Sequence, residues 1–134
     1  MRFALAGLLA AVLLAPAGAA VLPFKATLKA PRTQPKVNVK WWYSIKVTDL
    51  KGNPLKATLT AKLIDPIGGV HPVDYGPSKP ERPITNWPFN CTFRDYITFP
   101  PESRGFPLKL RWTVKTKING KTYVKVLTRK VTPG

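Results

Sequence analysis

Apolar and polar residues alternate at period two through residues 37 to 63. Val37, Val39, Trp41, Tyr43, Ile45 and Val47 take every second position, with Asn38, Lys40, Trp42, Ser44, Lys46 and Thr48 between them. Successive side chains of a strand point to opposite faces, so this pattern predicts one long, half-buried strand. Asp49-Leu50-Lys51-Gly52-Asn53-Pro54 then supplies turn chemistry, since Gly52 and Asn53 tolerate positive φ and Pro54 cannot donate to a ladder. Alternation resumes with Leu55, Ala57, Leu59, Ala61 and Leu63 against Lys56, Thr58, Thr60 and Lys62. Upstream, Leu22, Phe24, Ala26, Leu28 and Ala30 mark a first strand, whose Pro23 puts its start at a sheet edge.

Downstream the period lapses. Residues 65 to 90 carry Pro66, Pro72, Pro77, Pro80, Pro83 and Pro88. Apart from a short edge strand over Val70 to Tyr75, they read as one long irregular connection. Its Tyr75 and Trp87 are expected to fold back and plug one end of the structure. Residues 91 to 99 form the next strand, with Cys91 in phase with Phe89 and Phe93 as a buried thiol. Asp95 falls in the same inward phase, which predicts a bulge near Arg94-Asp95. Leu108, Leu110, Trp112, Val114, Thr116 and Ile118 define a further strand with Lys109, Arg111, Thr113, Lys115 and Lys117 outward. Asn119-Gly120 is a strong hairpin signal before a last strand from Thr122 to about Val131. A two-residue loop would set Lys125 opposite Val114. Burying a lysine is costly, so a longer loop or a bulge is expected there, with Gly120 at positive φ. The inward positions predict a core centred on Trp41, Tyr43, Ile45, Leu59, Phe93, Ile97, Leu110, Trp112 and Val114.

The chain has 134 residues and a net charge of +16. Arg2, the apolar run Phe3 to Leu14 and the small residues Ala17-Gly18-Ala19 resemble a cleavable signal peptide. The expected division is residues 1–20 as signal and 21–134 as one domain, exported to the extracellular space or cell envelope; an uncleaved anchor is the other reading of the leader. No transmembrane segment is expected in the mature chain. Without Arg2, 21 basic residues face 6 acidic ones. A field of that size favours anionic partners such as wall polymer, anionic headgroups or acidic polysaccharide, and says nothing about fold. Cys91 is the lone cysteine, so no intrachain disulfide forms, and the thiol is either free or bonded to another molecule.

About seven short strands separated by turns, with no helical periodicity, predict an all-β chain folded as an immunoglobulin-like two-sheet sandwich. Val47-Thr48-Asp49-Leu50-Lys51-Gly52-Asn53-Pro54-Leu55 resembles the V-x-D-x-x-G-x-P-L segment that joins two strands in bacterial immunoglobulin-like domains, and Pro100 to Gly105 resembles a later corner of those domains. The resemblance covers roughly residues 37 to 131. It implies the sandwich and export, with roles as spacer, adhesive or assembly module, and it carries over no catalytic residue.

Catalytic chemistry is thinly supplied. None of Asp49, Asp65, Asp74, Glu81, Asp95 and Glu102 sits in a paired motif, and acid–base work needs two groups with separated pKa values. Cys91 with His71 is the one candidate nucleophile–base couple, without a supporting local signature. No enzyme, cofactor or metal is expected: a faint similarity to exported copper carriers fails for lack of His and Met ligands. Asn90-Cys91-Thr92 matches a glycosylation acceptor, relevant only in a host that glycosylates such sites.

Binding through a sheet face is better supplied. Lys40, Trp42, Lys46, Lys56, Lys62, Lys109, Arg111 and Lys115 are the candidate surface residues, joined by Trp87 from the long connection. Trp42 between Lys40 and Lys46 sets an aromatic ring inside a cationic stripe, which suits ring stacking and charge pairing. Two functions follow. One is a secreted, non-enzymatic binding domain whose basic face engages an anionic envelope or extracellular polymer, nucleic acid not being the expected one. The other is a structural or assembly module with a protein partner at an edge strand. A third reading gives the lysines only an anti-aggregation role, with Trp42 covered by residues 65 to 90.

Overall fold

The computed structural model describes residues 21–134; the expected signal peptide lies outside the described residues. Two antiparallel sheets pack face to face. The first has the order β1 (Phe24–Lys29), β2 (Lys40–Asp49), β6 (Thr92–Thr98). The second has the order β4 (Val70–Pro72), β3 (Lys56–Ile64), β7 (Leu108–Ile118), β8 (Lys121–Val131), with β5 (Trp87–Asn90) also paired to β3. The inward residues of both sheets make one core. Trp41, Tyr43, Ile45, Leu59, Phe93, Leu110, Trp112 and Val114 are all buried, and Ile97 packs partly buried against them.

The corner between β2 and β3 follows from Asp49. Its carboxylate accepts the backbone N–H groups of Lys51 (2.9 Å) and Asn53 (2.8 Å) and the Asn53 side-chain amide (3.0 Å). Those bonds hold the Asp49 carboxyl below its ordinary range, the Asn53 amide contributing most. Gly52 supplies φ +93°, which the turn requires.

Residues 65–91 are far more ordered than their composition suggests. Val73 N–H donates to Ala61 O (3.3 Å), Ile84 N–H to Val73 O (2.8 Å) and Ala61 N–H to Ile84 O (3.0 Å). Val73 and the fully buried Ile84 thereby enter the core. Both β4 and β5 pair with the same edge of β3, at its opposite ends. The irregular connection is thus two short strands and a pinned turn, and β5 had no periodic signal of its own.

Four local expectations are corrected. First, β2 starts at Lys40, not Val37: Asn38 adopts φ +62° and leaves Val39 exposed. Second, no bulge interrupts β6 at Asp95, where the register runs unbroken through Tyr43↔Asp95. Third, Cys91 is not a buried strand residue. It is half-buried, sits at φ +65° and forms the one-residue corner between β5 and β6, its N–H donating to Leu55 O and its C=O accepting from Val47 N–H. Fourth, the last hairpin has the two-residue loop. Asn119 (φ +51°) and Gly120 (φ +79°) close the pair Ile118↔Lys121, and Lys125 lies opposite Val114 without a bulge. Lys125 is exposed nonetheless, because β8 is the outer strand of the larger sheet.

Candidate binding faces

The nine candidate surface residues do not share one face. Lys40, Trp42 and Lys46 point outward from the three-stranded sheet. Lys56, Lys62, Lys109, Arg111 and Lys115 point outward from the other sheet, on the opposite side of the molecule. Trp87 belongs to neither.

The three-stranded face carries a ladder. Trp42 stands directly opposite Tyr96, ring centroids 4.9 Å apart at 61°. Diagonal neighbours on adjacent strands complete it: the Arg94 guanidinium lies 4.3 Å from the Trp42 ring centre, and Lys40 Nζ lies 4.7 Å from that of Tyr96. The result is a row Lys40–Tyr96–Trp42–Arg94, with Lys25 and Lys29 of β1 and Lys46 of β2 on the same surface. Arg94 and Tyr96 escaped the sequence reading, although the alternation of 92–98 places both outward; what it could not give was the register of β6 on β2.

Residues 65–90 buttress this ladder without covering Trp42. Tyr96 Oη–H donates to Gly76 O at 2.9 Å. Gly76 lies so close that a Cβ there would sit 2.5 Å from Tyr96 O and 2.8 Å from the tyrosine ring, so only glycine fits. Trp42 keeps 37% of its surface exposed. Tyr75 and Trp87 instead stack with each other at 4.7 Å beside Phe93, and Arg82 lies 4.5 Å over Trp87. Trp87, paired with Leu59, is half-buried against the core.

Behind Tyr96 sits a polar bond in the apolar interior. Asp95 is fully buried; its carboxylate accepts Tyr43 Oη–H at 2.7 Å and Gly76 N–H at 2.8 Å. Burial pushes the Asp95 carboxyl above its ordinary range, against the pull of these donors. Burial and the neighbouring Asp95 push the Tyr43 phenol up as well. The pair ties the connection at Gly76 to β2 and β6, directly under the exposed ladder.

The five-stranded face brings like charges together. Lys62 pairs with Arg111, and Lys109 with Lys130, as direct cross-strand neighbours. Such pairs repel. Among the described residues one basic side chain lies within 4 Å of a carboxylate, His71 Nε2 of Asp65 at 2.8 Å, so no lysine or arginine is matched in this way. That contact, followed by the Gly69 N–H, holds the Asp65 carboxyl below its ordinary range. His71 and Cys91 do not form a couple. His71 pairs with Leu63 and Asn90 with Lys56, which puts them roughly 20 Å apart along β3 at the usual strand rise.

Neither a family model nor a curated protein matches the chain. Among solved structures it is similar to a DUF4466 family protein from Parabacteroides merdae, with a TM-score of 0.45 and 18% identity over 84% of this chain, which spans 46% of that protein's chain.

Proposed function

We propose that this is an exported, non-enzymatic binding domain whose three-stranded face engages an anionic polymer of the cell envelope, of the acidic-polysaccharide or wall-polymer kind. The observation that carries the reading is the Lys40–Tyr96–Trp42–Arg94 row, an exposed indole among cations that have no carboxylate within 4 Å among the described residues. Rings of that kind stack on sugars, and unpaired cations attract the polymer's charge. The immunoglobulin-like part of the proposal is supported by strand order: counted without the short β5, strands one, two and five share one sheet and strands three, six and seven the other, as in the constant-type sandwich, with strand four moved to the latter sheet.

The test is co-sedimentation of residues 21–134 with purified anionic wall polymer across a salt series. A few ion contacts predict roughly a tenfold loss of affinity between about 50 and 200 mM salt, as counterions are no longer released to advantage. Trp42→Ala should weaken binding by a further ~1–3 kcal/mol with the salt slope nearly unchanged. Charge reversal at Lys40 and Lys46 should flatten the slope. Parent-like sedimentation of all these variants would refute the reading.

A second reading has its own support. The side of β8 away from β7 is an eleven-residue edge with no neighbouring strand among the described residues, with Val124 and Val126 45% and 49% exposed on its outward face. An assembly module would add a partner's strand there. Salt-insensitive self-association or hetero-association abolished by a proline at Val126 would favour it over polymer binding.

A further inference from the structure

We propose that the cleft between the β1–β2 connection and the C-terminal end of β8 is a phosphate-binding site. The cleft has a volume of about 740 Å³ and is lined by Lys29, Arg32, Gln34, Trp41, Arg129 and Lys130, among others. That volume suits a small ligand or one segment of a polymer. Arg32 and Arg129 line its walls, with Lys29 at one rim on the three-stranded face and Lys130 at the other on the five-stranded face; no aspartate or glutamate lines it, and none of the four cations has a carboxylate within 4 Å among the described residues. Like charges converging on a concave wall raise its potential, and a bound anion lowers it.

The walls of the cleft and one of its cations, Arg129, are also held in place. Arg129 Nη1–H donates to Pro31 O at 3.1 Å, and Gln34 Oε1 accepts the Thr132 N–H at 2.7 Å. Two bonds between segments 98 residues apart in sequence thus fix the cleft walls. The bond to Pro31 uses one of the five N–H donors of the Arg129 guanidinium; the others remain for a ligand. Two guanidinium groups on the walls, with an ammonium group at each rim, match a multiply charged, tetrahedral oxyanion better than a single carboxylate.

The cleft adjoins the ladder. Lys29, Ala30 and Pro31 line it on one side and, on the other, line a shallower hollow with Trp42 and Arg94. A phosphate-bearing polymer lying on the ladder would therefore reach the cleft across Pro31. This deepens the polymer reading by naming phosphate as the anion, and it is testable apart from it.

The experiment titrates residues 21–134 with tripolyphosphate, inorganic phosphate, poly(glycerol phosphate) and polygalacturonate, by calorimetry and amide chemical shifts. Arg32→Gln and Lys130→Gln alter exposed residues of the cleft, while Lys117→Gln removes the same charge near the hairpin at the far end of β7. Each cleft variant should weaken tripolyphosphate binding about tenfold, the loss of one charge-assisted contact, and Lys117→Gln less than about twofold. Shifts should concentrate at Lys29–Gln34 and Arg129–Val131. Tripolyphosphate binding that survives while poly(glycerol phosphate) fails would assign the site to free phosphate compounds; binding of both would extend it to the polymer. Equal losses in Arg32→Gln and Lys117→Gln, no binding of tripolyphosphate, or equal binding of polygalacturonate in the cleft would overturn the proposal. Trp42→Ala separates the two readings, since it should leave tripolyphosphate binding intact and weaken the polymer alone.

Discussion

Tyr43→Phe should destabilise the domain, and by an amount that depends on pH. The change removes one oxygen and leaves the ring, so packing against Phe93 and Trp112 is retained. What is lost is the donor 2.7 Å from Asp95 Oδ2, in a carboxylate with no exposed surface. A hydrogen bond to a charged group is worth about 1.5–3 kcal/mol, and a neutral one about 1 kcal/mol. The sign of the pH effect follows from the Asp95 carboxyl, which burial holds above its ordinary value. The folded protein keeps that proton to higher pH than the unfolded chain, so stability falls as pH rises from the unfolded pKa through the folded one. Removing the Tyr43 donor raises the folded value further and extends that loss to higher pH. In urea titrations followed by tryptophan fluorescence, the variant should therefore cost about 2–3 kcal/mol at a pH where Asp95 is ionised and about 1 kcal/mol at a lower pH where it is protonated. Amide exchange at Gly76, which donates to the same carboxylate, should quicken as the connection loosens. An equal cost at both pH values would show that ionised Asp95 does not depend on this bond.

Two further substitutions probe the scaffold. Trp112→Ala should cost about 3–5 kcal/mol in the same titration, since Trp112 has no exposed surface; a loss below about 1 kcal/mol would contradict its place at the centre of the core. Gly76→Ala should cost about 1–3 kcal/mol through the clash with Tyr96, and it should raise Trp42 fluorescence quenching by iodide if the ladder loses its support; an unchanged quenching constant would show that Gly76 does not hold Tyr96 in place.

The core was legible because it is written locally. Phe24 and Ala26, Trp41 through Val47, and Leu108 through Thr116 keep strict alternation, and the pleat converts that alternation directly into burial. Segment 65–90 was partly legible: the edge strand expected over Val70 to Tyr75 is present as β4, and Tyr75 and Trp87 do fold back on the core, but β5 exists only as a partner of a β3 edge supplied from elsewhere. The same holds for Asp95. An inward carboxylate looks like a register fault until its donors are known, and those donors, Tyr43 and Gly76, lie 52 and 19 residues away. The ladder was half legible: Lys40 and Trp42 lie on one strand, whereas Tyr96 and Arg94 meet them only through the pairing of β2 with β6.

The last hairpin shows how local and tertiary preferences are ranked. Asn119-Gly120 favours a two-residue loop, because both positions adopt positive φ with a twist that matches the flanking strands. Against it stood the presumed burial of Lys125. That burial requires a covering sheet, and the opposing sheet has only three strands to the other's larger set. Where β8 is covered, its inward residues behave as such: Val131 is buried and Leu127 half-buried. Where it overhangs, Lys125 reaches water from the inward side at little desolvation cost. The turn therefore sets the register without opposition. The consequence is on the reverse side, where the same register turns Val124 and Val126 outward beside Lys115 and Thr113. Val124 and Val126 are the apolar positions that a strand added at this edge would meet, so the register of the hairpin decides which side chains the assembly reading puts to the test.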